Sequence, residues 1–239
     1  MESPATYSYR IAAREIDFAL RPTLAALADH VLAAAGEDAD TKGFGVGDLT
    51  ASGWTWVLSR FCIEMKRWPL QNDVLHVRTW VSEIGRMMTT RNFLIKNEKG
   101  EILGAAVSNW AVIDVATRRA IDLRAHLDFT QHRIEEPSPI ELPRRLAAVT
   151  DGRETAHRVA YSDLDFNRHT NTIRYIELMA DALPLDCHEE RTVHRADFNF
   201  LHESRYGDLL TIEMQLDEAA RFEIRNQDGT PVCRAQFDF

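Results

Sequence analysis

Cysteine is scarce in this chain: Cys62, Cys187 and Cys233 are the only three in 239 residues. They are odd in number and lack the paired spacing of a zinc site. Met1 is followed by Glu2, Ser3 and Pro4 rather than by a basic segment and an apolar run. No secretory signal is therefore read here, the thiols are expected to be reduced, and the expected location is the cytoplasm. Long apolar runs are also lacking. The best candidate, 104–115, is interrupted by Ser108, Asn109 and Asp114 and is too short to span a bilayer. Nor is there an excess of cations: 28 Lys and Arg against 37 Asp and Glu leave a formal charge of −9. That argues against nucleic acid as a partner, because phosphate contacts need clustered positive charge. The Gly-x-Ser-x-Gly elbow of serine hydrolases does not occur. Nine histidines show no paired helical spacing, which leaves zinc without a ligand set. Asp163-x-Asp165-x-Asn167 imitates the start of a calcium loop, but Arg168 and Arg174 occupy the positions where that loop requires Gly and Glu. No metal and no cofactor is expected.

What is present is an ordinary globular composition, 45% hydrophobic and 27% charged, with one conspicuous stretch. In residues 161–175, Asp163, Asp165, Asn167, His169 and Asn171 recur at every second position. Ile173, Ile176, Met179 and Leu183 then follow at helical spacing. The pattern predicts an extended segment leading into a helix that begins near Thr170. A carboxylate, an amide and an imidazole on one side of an extended segment, beside helix N–H groups, suit acyl transfer or hydrolysis. Asn171 reads equally well as a helix cap or as a chemical group.

The chain also repeats itself. Asp17-Phe18 matches Asp165-Phe166, Asn72-Asp73 matches Gly207-Asp208, and Asn97–Gly100 matches Asn226–Gly229. Each copy reads as a short strand, a helix and four antiparallel strands. The first helix is expected over 20–35. The strands are expected near 54–67, 74–83, 87–96 and 101–115, and near 193–203, 208–217, 220–226 and 230–238. The predicted organisation is an α+β chain with copies at 1–127 and 156–239, joined by a proline-bearing surface linker at 128–155. The glycine-rich stretch 36–53 reads as a flexible loop beside a pocket mouth.

Register within the repeat separates the copies chemically. Asn167 falls on Ala19, His169 on Arg21 and Asn171 on Thr23, while Glu203 falls on Trp68 and Ser204 on Pro69. The first copy thus lacks the amide, the imidazole and the downstream carboxylate. One active site per chain is expected, in the rear half, with the front half left to pack, to dimerise or to hold an acyl tail.

The Asp165-x-Asn167-x-His169-x-Asn171 stretch resembles a segment of the plant and bacterial acyl-acyl carrier protein thioesterases. The likeness extends to Arg60–Met65, Asn72-Asp73, Thr79-Trp80, Gly85-Arg86, Ser108–Trp110 and Thr117–Arg119. It implies a double (tandem) hotdog fold, each helix wrapped by a curved antiparallel sheet. It also implies hydrolysis of fatty acyl-acyl carrier protein, with Asp165, Asn167, His169 and Glu203 as the catalytic set. Either Glu203 or His169 is then the base that deprotonates water, or Asp165 attacks directly through an anhydride. Ser204 stands where many plant members carry cysteine, which favours activated water.

Asn171, Ser204, Trp54 and Trp56 are candidates for substrate contact. Phe61, Met65, Leu24, Leu27 and Val31 are further candidates for the tail pocket. Acyl carrier proteins are acidic, so Arg118-Arg119, Arg144-Arg145 and Lys66-Arg67 are candidate docking pairs. A homodimer is compatible with this picture. Hydrolysis of acyl-CoA, hydration of an enoyl thioester and non-catalytic acyl binding are the competing readings.

Overall fold

The computed structural model describes residues 3–126 and 130–239. Ten strands form one antiparallel sheet, and few helices accompany it. The front half holds β1 (Ala5–Arg10), α1 (Leu24–Thr41), α2 (Val46–Thr50), β2 (Trp54–Met65), β3 (Val74–Ile84), β4 (Thr89–Lys96), β5 (Ile102–Asp114) and a turn of helix, α3 (Leu123–His126). The rear half holds β6 (Arg153–Arg158), α4 (Thr172–Asp181), α5 (Leu185–Glu190), β7 (Arg195–Phe200), β8 (Leu209–Leu216), β9 (Ala219–Arg225) and β10 (Pro231–Asp238). Among the described residues, no helix is long and apolar enough to cross a membrane.

The strand order is β1-β3-β4-β5-β2-β7-β10-β9-β8-β6. Read outward from the central β2–β7 pair, each half presents its strands in the same sequence, which is the repeat expressed as topology. The halves meet where Arg60 pairs with Asn199 and Glu64 with Arg195. One side chain face of the sheet, including Phe61, Phe93, Phe198 and Phe222, closes on α1 and α4 in a single core. Leu27 and Val31 of α1 and Ile176 and Met179 of α4 are almost fully buried there. Burying such side chains contributes roughly 1.5–3 kcal/mol each. The repeat extends to its turns: Asn97 Oδ1 accepts from the N–H groups of Lys99 and Glu101, and Asn226 Oδ1 from those of Asp228 and Thr230. Gly100 and Gly229 follow with φ of 78° and 76°, a conformation that costs glycine no Cβ clash.

Two expectations about the front half need correction. α1 begins at Leu24, not residue 20, because Leu20 has φ 59° and Thr23 Oγ1 caps the N–H of Ala26 at 3.1 Å. It also runs through Gly36 to Thr41. Asp38, in its last turns, is fully buried and holds Arg91 of β4 at 2.6 Å and Lys42 at 3.0 Å, which anchors the extra turns. The stretch 36–53 is therefore mostly helix, α1 continued and then α2, rather than a loop.

The 127/128 boundary lies outside the described residues. From Ile134 to Val149 the chain forms a strap across the outer face of the sheet. Glu136 accepts both Arg78 guanidinium nitrogens at 2.6 Å, and its carbonyl accepts Trp80 Nε1. Asp197 and Asn199 accept the N–H groups of Arg144 and Leu146 at 2.9 Å. Side chains on the outward face thus satisfy a backbone that belongs to no sheet. The strap ends earlier than residue 155, since β6 begins at Arg153 and pairs with β8.

Candidate active site

Two turns and a loop bring the site together. In the first, Asp165 Oδ1 accepts the N–H groups of Asn167 at 2.8 Å and His169 at 3.0 Å. The Asp165 N–H is given to the His169 carbonyl, and Arg168 turns the chain at φ 63°. The same device recurs in the front half, where Asp17 Oδ1 accepts from Ala19 and Arg21 and Leu20 takes the positive φ. Asp165 is thus the acceptor that shapes the loop, and its counterpart shows that the shape precedes the chemistry.

Beneath this loop lies Asp163, only 2% exposed. Burial opposes its ionisation, but the Ala160 N–H, His157 Nε2 at 2.6 Å and Arg174 at 2.8 Å hold its carboxyl below the usual range. Asn171 then caps α4, its Oδ1 accepting the Ile173 N–H at 2.8 Å. Of the two readings open for Asn171, the structure places it as the cap.

The loop after β7 supplies the next group. Ser204 is fully buried, its Oγ 2.6 Å from Thr170 Oγ1 and 2.8 Å from the Tyr175 hydroxyl, and its carbonyl accepts the Thr170 N–H. Burial pushes the Tyr175 hydroxyl up to about 12, so it remains protonated. This correction moves Ser204 from substrate contact to the interior, where it bolts the 201–207 loop to the start of α4. Glu203, one residue earlier, points the other way. Its Oε2 lies 3.2 Å from His169 Nε2.

The third contribution comes from the front half. Asp114 Oδ1, at the end of β5, accepts the Thr117 N–H and hydroxyl, and Arg118 follows with φ 58°. The Arg118 guanidinium pairs with Glu203 Oε1. Side chain exposures of 17% for His169, 33% for Glu203 and 43% for Arg118 describe a row running from the interior to solvent. The sequence offers Arg118 as a docking residue; the structure turns it towards the candidate catalytic carboxylate. No local pattern announces this, because the pairing joins segments far apart in sequence. Tyr175 and Thr170 were missed for the same reason, although Tyr175 sits on the buried face of a recognisable amphipathic helix.

The remaining candidates separate. Asn167 is exposed at the tip of its loop. Arg119 and Arg145 are exposed, whereas Arg144 is tied to Asp238 at 2.6 Å and to buried Asp197 at 3.6 Å. Arg67 pairs with Glu101 at 2.7 Å. Trp56 and Trp110 line a cavity of about 150 Å³ together with Phe44, Val81, Ile84 and Gly36. Trp54 packs in the small cluster beside it. Phe61, Met65, Leu24, Leu27 and Val31 do not line that cavity; they are spent in the main core, facing α1 and α4. β7 leaves the sheet beside the first half of β2, so Glu203 and the Trp56 cavity lie at the same end of the sheet. All three cysteines are buried, and burial raises their thiol pKa values, Cys62 to about 12. None has thiolate character.

A crystal structure of an acyl-ACP thioesterase from Bacteroides thetaiotaomicron is similar at 32% identity and a TM-score of 0.92, covering 99% of this chain and 97% of that one. The 12:0-ACP thioesterase from Umbellularia californica shares the fold at 19% identity and a TM-score of 0.88, covering 98% and 96%. A chloroplastic palmitoyl-acyl carrier protein thioesterase from Gossypium hirsutum is 32% identical over 157 residues, 60% of this chain and 37% of its own length. The chain spans less than half the length of such curated plant relatives. The family model for the acyl-ACP thioesterase N-terminal domain matches residues 4–127 and that for the C-terminal domain matches 146–239, and the chain belongs to this family.

Proposed function

We propose that this protein hydrolyses fatty acyl thioesters, with acyl-acyl carrier protein as the donor and free fatty acid as the product. The observation that carries the reading is the row His169–Glu203–Arg118 at one end of the sheet. Both Glu203 oxygens are engaged, one by the guanidinium and one by the imidazole. A carboxylate so placed is the counter-charge of both partners. It faces His169 Nε2 at 3.2 Å, favours the tautomer protonated on that nitrogen, and leaves Nδ1 as the lone pair that deprotonates water. Glu203 also stabilises the imidazolium that forms when water attacks the thioester carbonyl. His169 then returns the proton to the departing thiolate.

Asp165 is an unsuitable nucleophile in this scheme, since its Oδ1 already accepts two N–H groups of its own loop. The oxyanion donors expected at the start of α4 are partly consumed, because the Ile173 and Arg174 N–H groups bond to Asn171. The exposed Asn167 amide is the group left to orient the thioester carbonyl.

The tandem hotdog is the architecture we infer: two helices, each held by five strands, fused at β2–β7. The rear half carries the imidazole and carboxylate, and the front half carries the tail cavity, with the strap before β6 as the connection. Contrary to a simple division of labour, the front half also enters the site through Arg118. Of the candidate docking pairs, Arg119, Arg145 and Lys66 are the exposed cations that remain for an acidic carrier. In the tail cavity each buried CH₂ contributes about 0.8 kcal/mol, so a chain longer by one carbon gains roughly fourfold. Incubating pure protein with a panel of acyl-carrier and acyl-CoA thioesters, while following thiol release, tests the reading. Silence towards every thioester in that panel would overturn it.

A further inference from the structure

The end of the sheet opposite the candidate active site holds its repeat-related counterpart, and it is not filled in. The turn around Asp17 reproduces the turn around Asp165, and Arg21 occupies the position of His169, giving its N–H to Asp17 Oδ1 at 3.2 Å. Trp68 stands where Glu203 stands in the other half. Behind Arg21 lies a cavity of about 230 Å³ with Leu24, Leu183 and Phe237 in its wall, and it opens into a groove of about 1090 Å³. Arg21, Trp68, Arg191 and Thr192 are common to both.

Charge and polarity are graded along this path. The mouth carries Arg21, Lys66 and Arg191. Among the described residues, neither Lys66 nor Arg191 has a carboxylate at ion-pair distance. Arg21 has only Asp17 at 4.0 Å, and it also donates to Thr192 Oγ1 at 3.1 Å. Arg191 lies over the Phe239 ring at 5.2 Å, a position that spreads a flat cation across the rim. Acidic residues are present too, but Asp217 is engaged by Arg221 at 2.8 Å, Asp17 serves its own turn, and Asp181, Glu190 and Glu218 are exposed. Cations at the mouth and aliphatic and aromatic groups at the floor fit a ligand with an anionic head and an apolar tail.

We propose that this second end of the sheet binds a fatty carboxylate, its head on Arg21 and Arg191 and its tail between Leu24, Leu183 and Phe237. The chemistry of the site stands without the hydrolase reading; only the source of the ligand, as the released product, rests on it.

The test uses the full chain and a ten-carbon fatty acid bearing a terminal diazirine, with labelled peptides mapped by mass spectrometry. Labelling is expected in 18–24 and 180–193, competed by sodium decanoate but not by methyl decanoate. The double variant Arg21→Ala, Arg191→Ala should lower labelling of these peptides by about tenfold or more, the loss of two charge-assisted contacts. Hydrolysis should stay at the parent rate. Because Arg21 also braces Thr192, the single variant Arg191→Glu, at an exposed position, gives an independent reading in which only the donor to the Asp217 carbonyl is lost. His169→Ala should leave the labelling intact, so a failed hydrolase assignment does not mask the result. Labelling confined to the Trp56 cavity, competition by methyl decanoate or by coenzyme A in preference to decanoate, or labelling indifferent to both charge variants would each overturn the proposal.

Discussion

His169 Nε2 lies 3.2 Å from Glu203 Oε2, although the two residues come from separate loops on either side of α4. The two groups are brought together because buried Ser204 ties its loop to Thr170 and Tyr175, and because Asp165 shapes the loop that presents the imidazole. Removing either member should remove general acid–base catalysis, which typically supplies about 10²–10⁴ in rate. His169→Ala and Glu203→Ala are each expected to lose kcat in that range while keeping the parent circular dichroism spectrum. Full activity in either purified variant would count against the assignment.

Arg118 distinguishes a positioning role from docking. As a positioning residue it holds Glu203, so Arg118→Ala should lower kcat by roughly ten- to a hundredfold, the loss of a charge-assisted contact. Arg118→Lys should restore part of that loss. Were it only a docking residue, KM for acyl-acyl carrier protein would rise with kcat unchanged, and coenzyme A thioesters would not sense the substitution.

Tyr175→Phe probes the bolt beneath the site. The change leaves the buried Ser204 hydroxyl and N–H without the Tyr175 oxygen, at a cost of about 1–3 kcal/mol. For a chain of this size that corresponds to a fall in Tm of roughly 2–4 °C per kcal/mol, measurable by calorimetry. An unchanged Tm would show that the hydroxyl network adds nothing to stability.

Acid stability should depend on Asp163. Its carboxyl is held below the ordinary aspartate value of 3.8 in the folded protein, so the unfolded chain binds the proton more readily. Its contribution is therefore present above that value and disappears as pH falls through the folded-state value. Asp163→Asn should be less stable than the parent at neutral pH, with the difference shrinking on acidification below about pH 4. Urea titrations across pH 2–7 give the comparison, and a difference independent of pH would refute it.

Gly36 offers a substitution with two separable effects. It sits inside α1, and an added Cβ there would meet nothing within 4 Å. Gly36→Ala should stabilise the protein by up to about 1 kcal/mol through helix propensity. Because Gly36 also borders the Trp56 cavity, Gly36→Leu should shorten the preferred acyl chain, by about fourfold in relative rate for each methylene excluded. Parent-like relative rates across a series of acyl lengths would detach this cavity from the substrate.

Much of this was legible beforehand where the signal is local. The period-two run before α4, the paired Asn…Gly turns and the repeat register placed eight strands and the candidate catalytic loop to within a few residues. His169 stands in the period-two run, Glu203 enters through the family resemblance, and the register shows that the front copy lacks both. What could not be read were interactions between distant segments. Gly36 looked like a helix break because nothing near it reveals that Asp38 meets Arg91. Arg118 looked like surface charge because its partner lies in the other half of the chain. Ser204 stands in the sequence as a candidate for substrate contact, whereas its loop turns it inward to Tyr175.

The covalent join between the two halves has a consequence beyond packing. In a ring of identical subunits every residue appears at both ends of the shared sheet, so no end can change alone. Here a substitution at position 21 or 118 alters one end and leaves the other as it was. That freedom is what allowed an arginine from the leading half to face an acidic group of the trailing one, with no mirror-image contact at the far end to accommodate.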